Sequence, residues 1–187
     1  MAEQRKYTRT SRTPVKSKPV DEYGHLQPQA IDFEEAVLGA LMIEKDAYSV
    51  VSEILRPESF YDHKHQLLYR AITTLAMRQQ PIDILTVAEQ LRSTGELEEA
   101  GGPFYITQLS GKVASSAHIE YHARIIAQKF LARELITFTS NIQTKAFDEM
   151  QDVDDLMQEA EGRLFEISQK NMKKDYTQIN PVIQEAY

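Results

Sequence analysis

The feature that most constrains the fold is the absence of proline between Pro103 and Pro181. Proline removes a backbone donor and clashes with the preceding turn, so a segment without it is free to form long helices. Apolar residues recur there every three or four positions, which is the spacing of one helix face. We therefore predict helices over 117–147 and 153–169, joined through the acidic segment 148–155 as an antiparallel hairpin. The predicted stripes are Ala127, Leu131, Leu135, Phe138, Ile142 and Ala146, then Val153, Leu156 or Met157, Ala160, Leu164 and Ile167.

Five shorter helical patterns precede the hairpin. Together they predict an all-α protein, with a compact helical subdomain over 26–114, the hairpin over 115–171 and a linker over 172–187. The predicted boundaries are an N-cap at Asp32 with Glu35 at the capping-box position, a helix over 63–77, a capping box of Thr86 and Glu89, a C′ glycine at Gly95 and a first-turn proline at Pro103.

Composition excludes several classes of protein. The chain has 187 residues, of which 42% are hydrophobic, and no apolar run approaches the ~20 residues of a membrane span. No apolar segment near the N-terminus resembles a secretory signal. Cysteine is absent, which excludes disulfides and thiolate zinc sites. We expect a cytoplasmic protein with no membrane partner.

Charge is distributed unevenly along the chain. Residues 1–20 contain six basic residues and one acidic residue, a net charge of +5, whereas the whole chain has −7. Few apolar residues accompany them, so we predict a disordered basic tail over 1–25. Two roles stay open for it: a solubilising segment, or one that contacts phosphates. The acidic remainder argues against broad nucleic-acid binding by the folded part.

Motifs for catalysis are missing from the sequence. The Gly111–Lys112 pair is followed by Val113 and lacks the earlier glycine that a phosphate-binding loop requires. No pattern pairs a nucleophile with a base. We therefore predict no catalytic residue and no cofactor in this chain.

Two pairs of closely spaced histidines are candidate metal ligands. His118 and His122 have the spacing to face one metal ion, but no third ligand is evident, so a surface or packing role is favoured. His63 and His65 point in different directions on a helix, which favours a solvated helix end. No metal site is predicted.

Two helices cannot cover each other's apolar faces completely. A second row on the first helix, Ile119, Ile126 and Phe130, widens the face that needs cover. A monomeric core and an intermolecular surface are both possible, and the width of the face favours self-association. The residues predicted to mediate it are Ile126, Phe130, Leu131, Leu135, Phe138, Ile142, Leu156 and Leu164.

The last residues begin a helix that the sequence does not complete. Asn180 and Pro181 form an N-cap and a first-turn proline, and the sequence stops at Tyr187. So short a helix is not stable alone. We expect either a continuation of the chain or docking of this helix on a partner.

Five segments resemble the N-terminal domain of bacterial hexameric replicative DNA helicases, the DnaB family. They follow one another in the family's order and cover about Leu26 to Tyr187. The segments are PQAIDFEEAVLGAL from Pro28, PESFY from Pro57, PID with TVAEQL from Pro81, LEEAGG with Tyr105, Ile106 and Leu109, and IEY with ARII from Ile119.

The resemblance implies a scaffold role. In this family the hairpins pair, three dimers form a collar on the hexamer, and the collar binds the C-terminal domain of primase. It implies primase contacts at Asp32, Tyr105, Ile136 and Ile142. A linker helix, here Pro181, Val182 and Ile183, docks on the neighbouring ATPase domain. That domain, outside this chain, uses ATP and Mg and contacts DNA, so this chain alone should not hydrolyse ATP; a helicase loader is a further possible partner.

Two alternatives are kept. The helicase-binding domain of primase resembles this fold, although the Thr86 and Gly101–Gly102 motifs favour the helicase. A stand-alone helical adaptor is the other alternative, and the helix start at Pro181 argues against it.

Overall fold

The structure, a computed structural model, describes residues 26–112 and 118–175, with side chains as far as 169. Within these residues the chain forms seven α-helices, one short 3-10 turn at Pro57–Ser59 and no strand, which confirms the all-α prediction. The helices are α1 (Ile31–Leu41), α2 (Ala47–Ser52), α3 (His63–Met77), α4 (Ile84–Thr94), α5 (Gly102–Ser110), α6 (Ile119–Ala146) and α7 (Val153–Asp175).

Helix α1 is the centre of the subdomain. It packs against α2, α3, α5 and α6, and residues 37–41 are all buried. Glu34 and Glu35 are buried as well, so this helix is covered on more than one face. The sequence pattern indicated a single apolar stripe, because it treats glutamate as a solvent-facing residue.

The predicted N-cap of α1 is wrong. The helix begins at Ile31, its N-cap residue is Ala30, and no side chain caps it. Asp32 therefore lies inside the first turn, where it is exposed and its charge suits the helix dipole. Glu35 does not complete a capping box, since its carboxylate contacts Lys112.

Helix α4 begins three residues earlier than predicted, with its N-cap at Asp83 and not at Thr86. Asp83 caps it by accepting hydrogen bonds from the backbone N–H groups of Leu85 and Thr86, both at 2.9 Å. Thr86 completes the capping box from the third helical position, so the predicted box of Thr86 with Glu89 is wrong. Gly95 ends the helix in the left-handed conformation, as predicted.

Helix α6 links the subdomain to the hairpin. Its 28 residues span about 42 Å. Ala123 and Ile126 in its first half belong to the subdomain core, whereas its second half packs against α7. The first half of α6, which lies within the predicted hairpin segment 115–171, therefore packs into the core of the subdomain. The predicted basic tail over 1–25 and the predicted linker helix at Pro181 lie outside the described residues.

Candidate protein-interaction site

The hairpin is antiparallel and held by apolar and ionic contacts. Lys145 Nζ on α6 lies 2.6 Å from Glu159 Oε2 on α7. Leu156 and Ile167 are the buried residues of α7 within its described side chains. Leu156 therefore occupies the inward position that the sequence left open between two residues, and Met157 is 57% exposed.

An apolar groove runs between α6 and α7 and opens to solvent. Its volume is about 450 Å³, and Leu164, one of the residues that line it, is 51% exposed. We call this surface the hairpin groove. Its lining residues are Phe138, Thr139, Ile142, Gln143, Met157, Ala160, Glu161 and Leu164.

The eight predicted self-association residues fall into two groups. Ile126 is 1% exposed in the subdomain core and Leu156 is buried between the helices, so the expectation that Ile126 faces outward is wrong. The other six are partly or clearly exposed along the hairpin, and three of them line the hairpin groove. These six are Phe130, Leu131, Leu135, Phe138, Ile142 and Leu164.

Large exposed apolar residues also surround the turn between α6 and α7. Phe147 and Met150 are 80% and 93% exposed, and Val153, expected in the inward stripe, is 70% exposed. Val153 is the first residue of α7, so no earlier turn of the helix shields its side chain from solvent. Sequence periodicity alone did not predict this exposure.

A buried chain of polar side chains connects α1, α3 and α5. His65 Nδ1 lies 2.6 Å from Glu34 Oε2, and His65 Nε2 lies 2.6 Å from the hydroxyl of Tyr105. That hydroxyl is 3.4 Å from Glu35 Oε1, and Glu35 is paired with Lys112. We call these five residues the polar cluster.

The polar groups of the cluster have hydrogen-bond partners within the protein. Glu34 also accepts from the backbone N–H of Tyr61 at 2.8 Å, so this 1% exposed carboxylate has donors on both oxygens. One ring nitrogen of His65 is bonded to Glu34 and the other to Tyr105, and the Tyr105 hydroxyl donates to Glu35. Each of these groups has a hydrogen-bond or ion-pair partner, so the cluster stabilises the fold.

Tyr105 is fixed at both its ring and its hydroxyl. The ring stacks on His65 with an interplanar angle of 7°, and Lys64 Nζ lies 4.3 Å from its centroid. Burial raises the pKa of the Tyr105 hydroxyl, and the nearby charge of Glu35 raises it further. The neighbouring Phe104 is 83% exposed, so it presents the free aromatic surface on α5.

The prediction of a solvated helix end is wrong for His65 and right for His63. His63 is mostly exposed and contacts Glu99, whereas His65 is fully buried. The signal was present in the spacing, because His65 lies in register with the buried Leu68 and Ile72.

Arg133 fastens α6 to the start of the subdomain. Its Nη1 donates to the carbonyl of Pro28 and its Nη2 to the carbonyl of Ser59, both at 2.8 Å. Its guanidinium also lies over the rings of Tyr61 and Phe130. Burial lowers the pKa of Arg133, and the charge of Glu34 opposes that shift.

The predicted primase contacts lie in two places. Asp32 and Tyr105 belong to the subdomain, on α1 and α5. Ile136, 39% exposed, and Ile142, in the hairpin groove, lie on the second half of α6. The predicted linker-docking residues Pro181, Val182 and Ile183 lie outside the described residues.

Two further observations concern metals and membranes. In the described ranges no group of three or more His, Asp or Glu side chains is arranged to hold a metal ion, and His122 packs edge-on against Phe33 at 5.2 Å. None of the helices in the described part is long and apolar enough to cross a membrane.

Comparison with known proteins agrees with this arrangement. Residues 26–128 match the family described as DnaB-like helicase N terminal domain. The chain is 44% identical over 163 residues to the replicative DNA helicase DnaB of Rhodothermus marinus, covering 87% of this chain and 17% of that protein. It is 36% identical to the replicative DNA helicase DnaC of Bacillus subtilis, covering 87% of this chain and 36% of that protein.

Solved structures that resemble this chain are also of replicative helicases. The N-terminal domain of the DnaB helicase from Mycobacterium tuberculosis superposes with a TM-score of 0.70 at 35% identity, over 74% of this chain and 98% of that one. A DnaB-like replicative helicase, solved in a study of its interactions with primase, superposes with a TM-score of 0.62 at 25% identity, over 84% of this chain and 36% of that one.

The fold and the groove define an all-helical domain whose exposed apolar surface is suited to packing against other helices. The chain belongs to the family of DnaB-like replicative helicase N-terminal domains. Among the three interpretations of the sequence, this family match selects the helicase. The chain spans 17% and 36% of the length of the Rhodothermus marinus and Bacillus subtilis helicases, respectively.

Proposed function

We propose that this chain is the collar of a hexameric replicative DNA helicase: it dimerises through its hairpin and recruits primase. The observation that carries the proposal is the hairpin groove, an apolar surface that the described part of one chain leaves open. The parent protein would unwind DNA with ATP and Mg bound in a separate ATPase domain, which also contacts DNA. The collar itself requires no cofactor and works in the cytoplasm.

Self-association follows from the physics of a two-helix hairpin. Leu135 and Leu164 are 36% and 51% exposed, although each belongs to an inward stripe. Exposed apolar area of this kind is stabilised by burial at about 25 cal/mol per Å². A second hairpin of the same shape offers complementary ridges, as in a four-helix bundle. We expect two hairpins to pair as a dimer, and three such dimers to form the collar.

Light scattering tests this proposal. The double variant Leu135→Asp with Leu164→Asp places two charges on the exposed hairpin face, and we expect it to lower the molar mass from dimer or larger to monomer. Leu85→Asp is the matched control, because Leu85 is 80% exposed on α4, away from the hairpin. A monomeric unmodified chain at high concentration would contradict the proposal, as would an equal effect of the control.

Primase recruitment is proposed at the second half of α6. Ile136 is the exposed apolar residue among the four contacts, and a helicase of this fold has been studied with primase. Asp32 offers an exposed charge, and Tyr105 offers only the ring edge that Lys64 and His65 leave free. Recruitment would raise the concentration of primase near the replication fork.

Calorimetric titration with purified primase C-terminal domain tests the contact. We expect Ile136→Ala to weaken binding about tenfold or more, as for an apolar interface anchor. The control is Ile43→Ala, which truncates an isoleucine after α1 that is 53% exposed, against 39% for Ile136. Unchanged affinity for Ile136→Ala, with binding by the unmodified chain, would remove this residue from the interface. No binding at all would refute recruitment by this chain.

The remaining family-based expectations are also proposals. Pro181, Val182 and Ile183 would begin the helix that docks on a neighbouring ATPase domain. A helicase loader is a further candidate partner. Both can be examined only with the whole helicase, because this chain spans 36% of the B. subtilis relative.

A further inference from the structure

The turn between α6 and α7 combines exposed apolar residues with strong negative charge. Phe147, Met150 and Val153 expose most of their surface. Residues 148–169 contain eight acidic residues and one basic residue, a net charge of −7. We call residues 147–155 the acidic tip. Apolar residues of this size on a charged turn are typical of a surface that another segment covers.

The carboxylates of the acidic tip have no cationic partner within the described residues. Asp148 and Asp152 accept backbone N–H groups of their own turn, from Met150 at 3.0 Å and Asp154 at 2.8 Å. The ion pairs of the hairpin involve Glu159 and Glu166, farther along α7. The tip therefore presents five acids whose field is not neutralised locally.

The N-terminal segment of the same chain has the complementary charge. Residues 1–20 have a net charge of +5 and include Tyr7 and Val15 between the basic residues. Its basic residues are complementary in charge to the tip carboxylates, and its aromatic and branched side chains are of a kind that could cover exposed Phe147 or Met150. No other segment of similar length in this chain is as basic.

The attachment point brings the two segments within reach. Pro28 is held against Arg133, near the middle of α6. Phe147 lies fourteen residues farther along the helix axis, which is about 21 Å. A flexible chain as long as the 10 residues from Pro28 to Lys18, or the 23 residues from Pro28 to Arg5, would have a root-mean-square span of about 17 to 28 Å. Effective concentration is greatest when the tether length matches the span.

We propose that residues 1–20 dock on the acidic tip of their own chain. The contact covers the exposed apolar residues of the tip and is weakened by salt, because surface ion pairs are screened. It gives the hairpin an intrinsic cover that a more basic partner displaces. This proposal is independent of self-association and of primase binding.

A spin label tests the docking directly, because the chain has no cysteine and a single new one is a unique attachment site. Ser11→Cys carries a nitroxide, and the methionine methyl groups are observed by NMR. We expect several-fold stronger broadening at Met150 than at Met77, which is similarly exposed but lies at the end of α3. High salt removes the difference.

A tail without basic residues is the matched control. The six basic residues of the tail are replaced by glutamine in the same labelled protein, which keeps the tether length and removes the attraction. Docking is overturned if Met150 is broadened no more than Met77, or if the glutamine tail gives the same broadening. Dilution with unlabelled protein keeps an intrachain effect; loss of broadening on dilution overturns the proposal in favour of a second copy.

Discussion

At the scale of single residues, the subdomain depends on buried polar groups as much as on apolar ones. Glu34 and His65 are 1% and 0% exposed and lie in contact at the junction of three helices. Burying such groups is costly unless each is hydrogen-bonded, and here each is. The polar cluster therefore fixes the relative positions of α1, α3 and α5 more specifically than apolar packing alone would.

Removing the imidazole should be strongly destabilising. His65→Leu keeps an apolar side chain of moderate size but leaves Glu34 and Tyr105 without their shared partner, so we expect a loss of about 3 kcal/mol. Urea unfolding measures it. The control, His63→Leu, lies two residues away on an exposed site and should change stability by less than about 0.5 kcal/mol. Equal effects of the two variants would show that the cluster has no special role.

The stability of the protein at alkaline pH tests the role of a second buried hydroxyl, that of Tyr69. Tyr69 donates to the carbonyl of Leu55 at 3.2 Å, and burial, followed by the charge of Tyr48, raises its pKa. The folded state then holds a proton that the unfolded state releases above about pH 10, so stability is full below that pH and falls as pH rises. Tyr69→Phe should lower the unfolding free energy by about 1 kcal/mol at pH 8 and give a shallower decline above pH 10. A parallel pair of pH profiles would refute this.

At the scale of elements, helix positions were predictable and several helix ends were not. Periodicity located α3 at 63–77, the bounds it has in the structure. The start of α1 was misplaced because Glu35, chosen for a capping box, is held instead by Lys112 from far along the chain. No local pattern reveals such a contact. For His65 the register with buried Leu68 and Ile72 indicates burial, but its partners come from α1 and α5 and no local pattern identifies them.

The turn before α5 requires a glycine for two reasons. Gly101 has φ of +100°, and a Cβ built there would lie 2.7 Å from the Tyr105 ring. Gly95 has φ of +77° but open space around it. Gly95→Ala should therefore cost about 1 kcal/mol from backbone strain, and Gly101→Ala about 3 kcal/mol, because the ring of the polar cluster must also move. Thermal unfolding compares them, and similar losses would show that the Tyr105 contact is unimportant.

At the scale of the whole molecule, the hairpin extends beyond the subdomain core, although the first half of α6 is anchored in that core. The sequence indicated its length and its incomplete apolar cover, but not that α6 begins inside the subdomain core at Ala123 and Ile126. Sequence patterns describe one element at a time, whereas the angle between the two parts depends on long-range bonds. Arg133 supplies two of these bonds, to Pro28 and Ser59.

Breaking this anchor should loosen the hairpin without unfolding it. Arg133→Met keeps the aliphatic stem but leaves two carbonyls without their donor, and we expect a loss of about 2 to 3 kcal/mol. Amide hydrogen exchange should show lower protection in the middle of α6, while the buried part of α3 stays protected. Lys129→Met is the control, because Lys129 is an exposed cation one turn earlier on the same helix. Unchanged exchange in Arg133→Met would mean that the apolar contacts of Ala123 and Ile126 hold the hairpin by themselves.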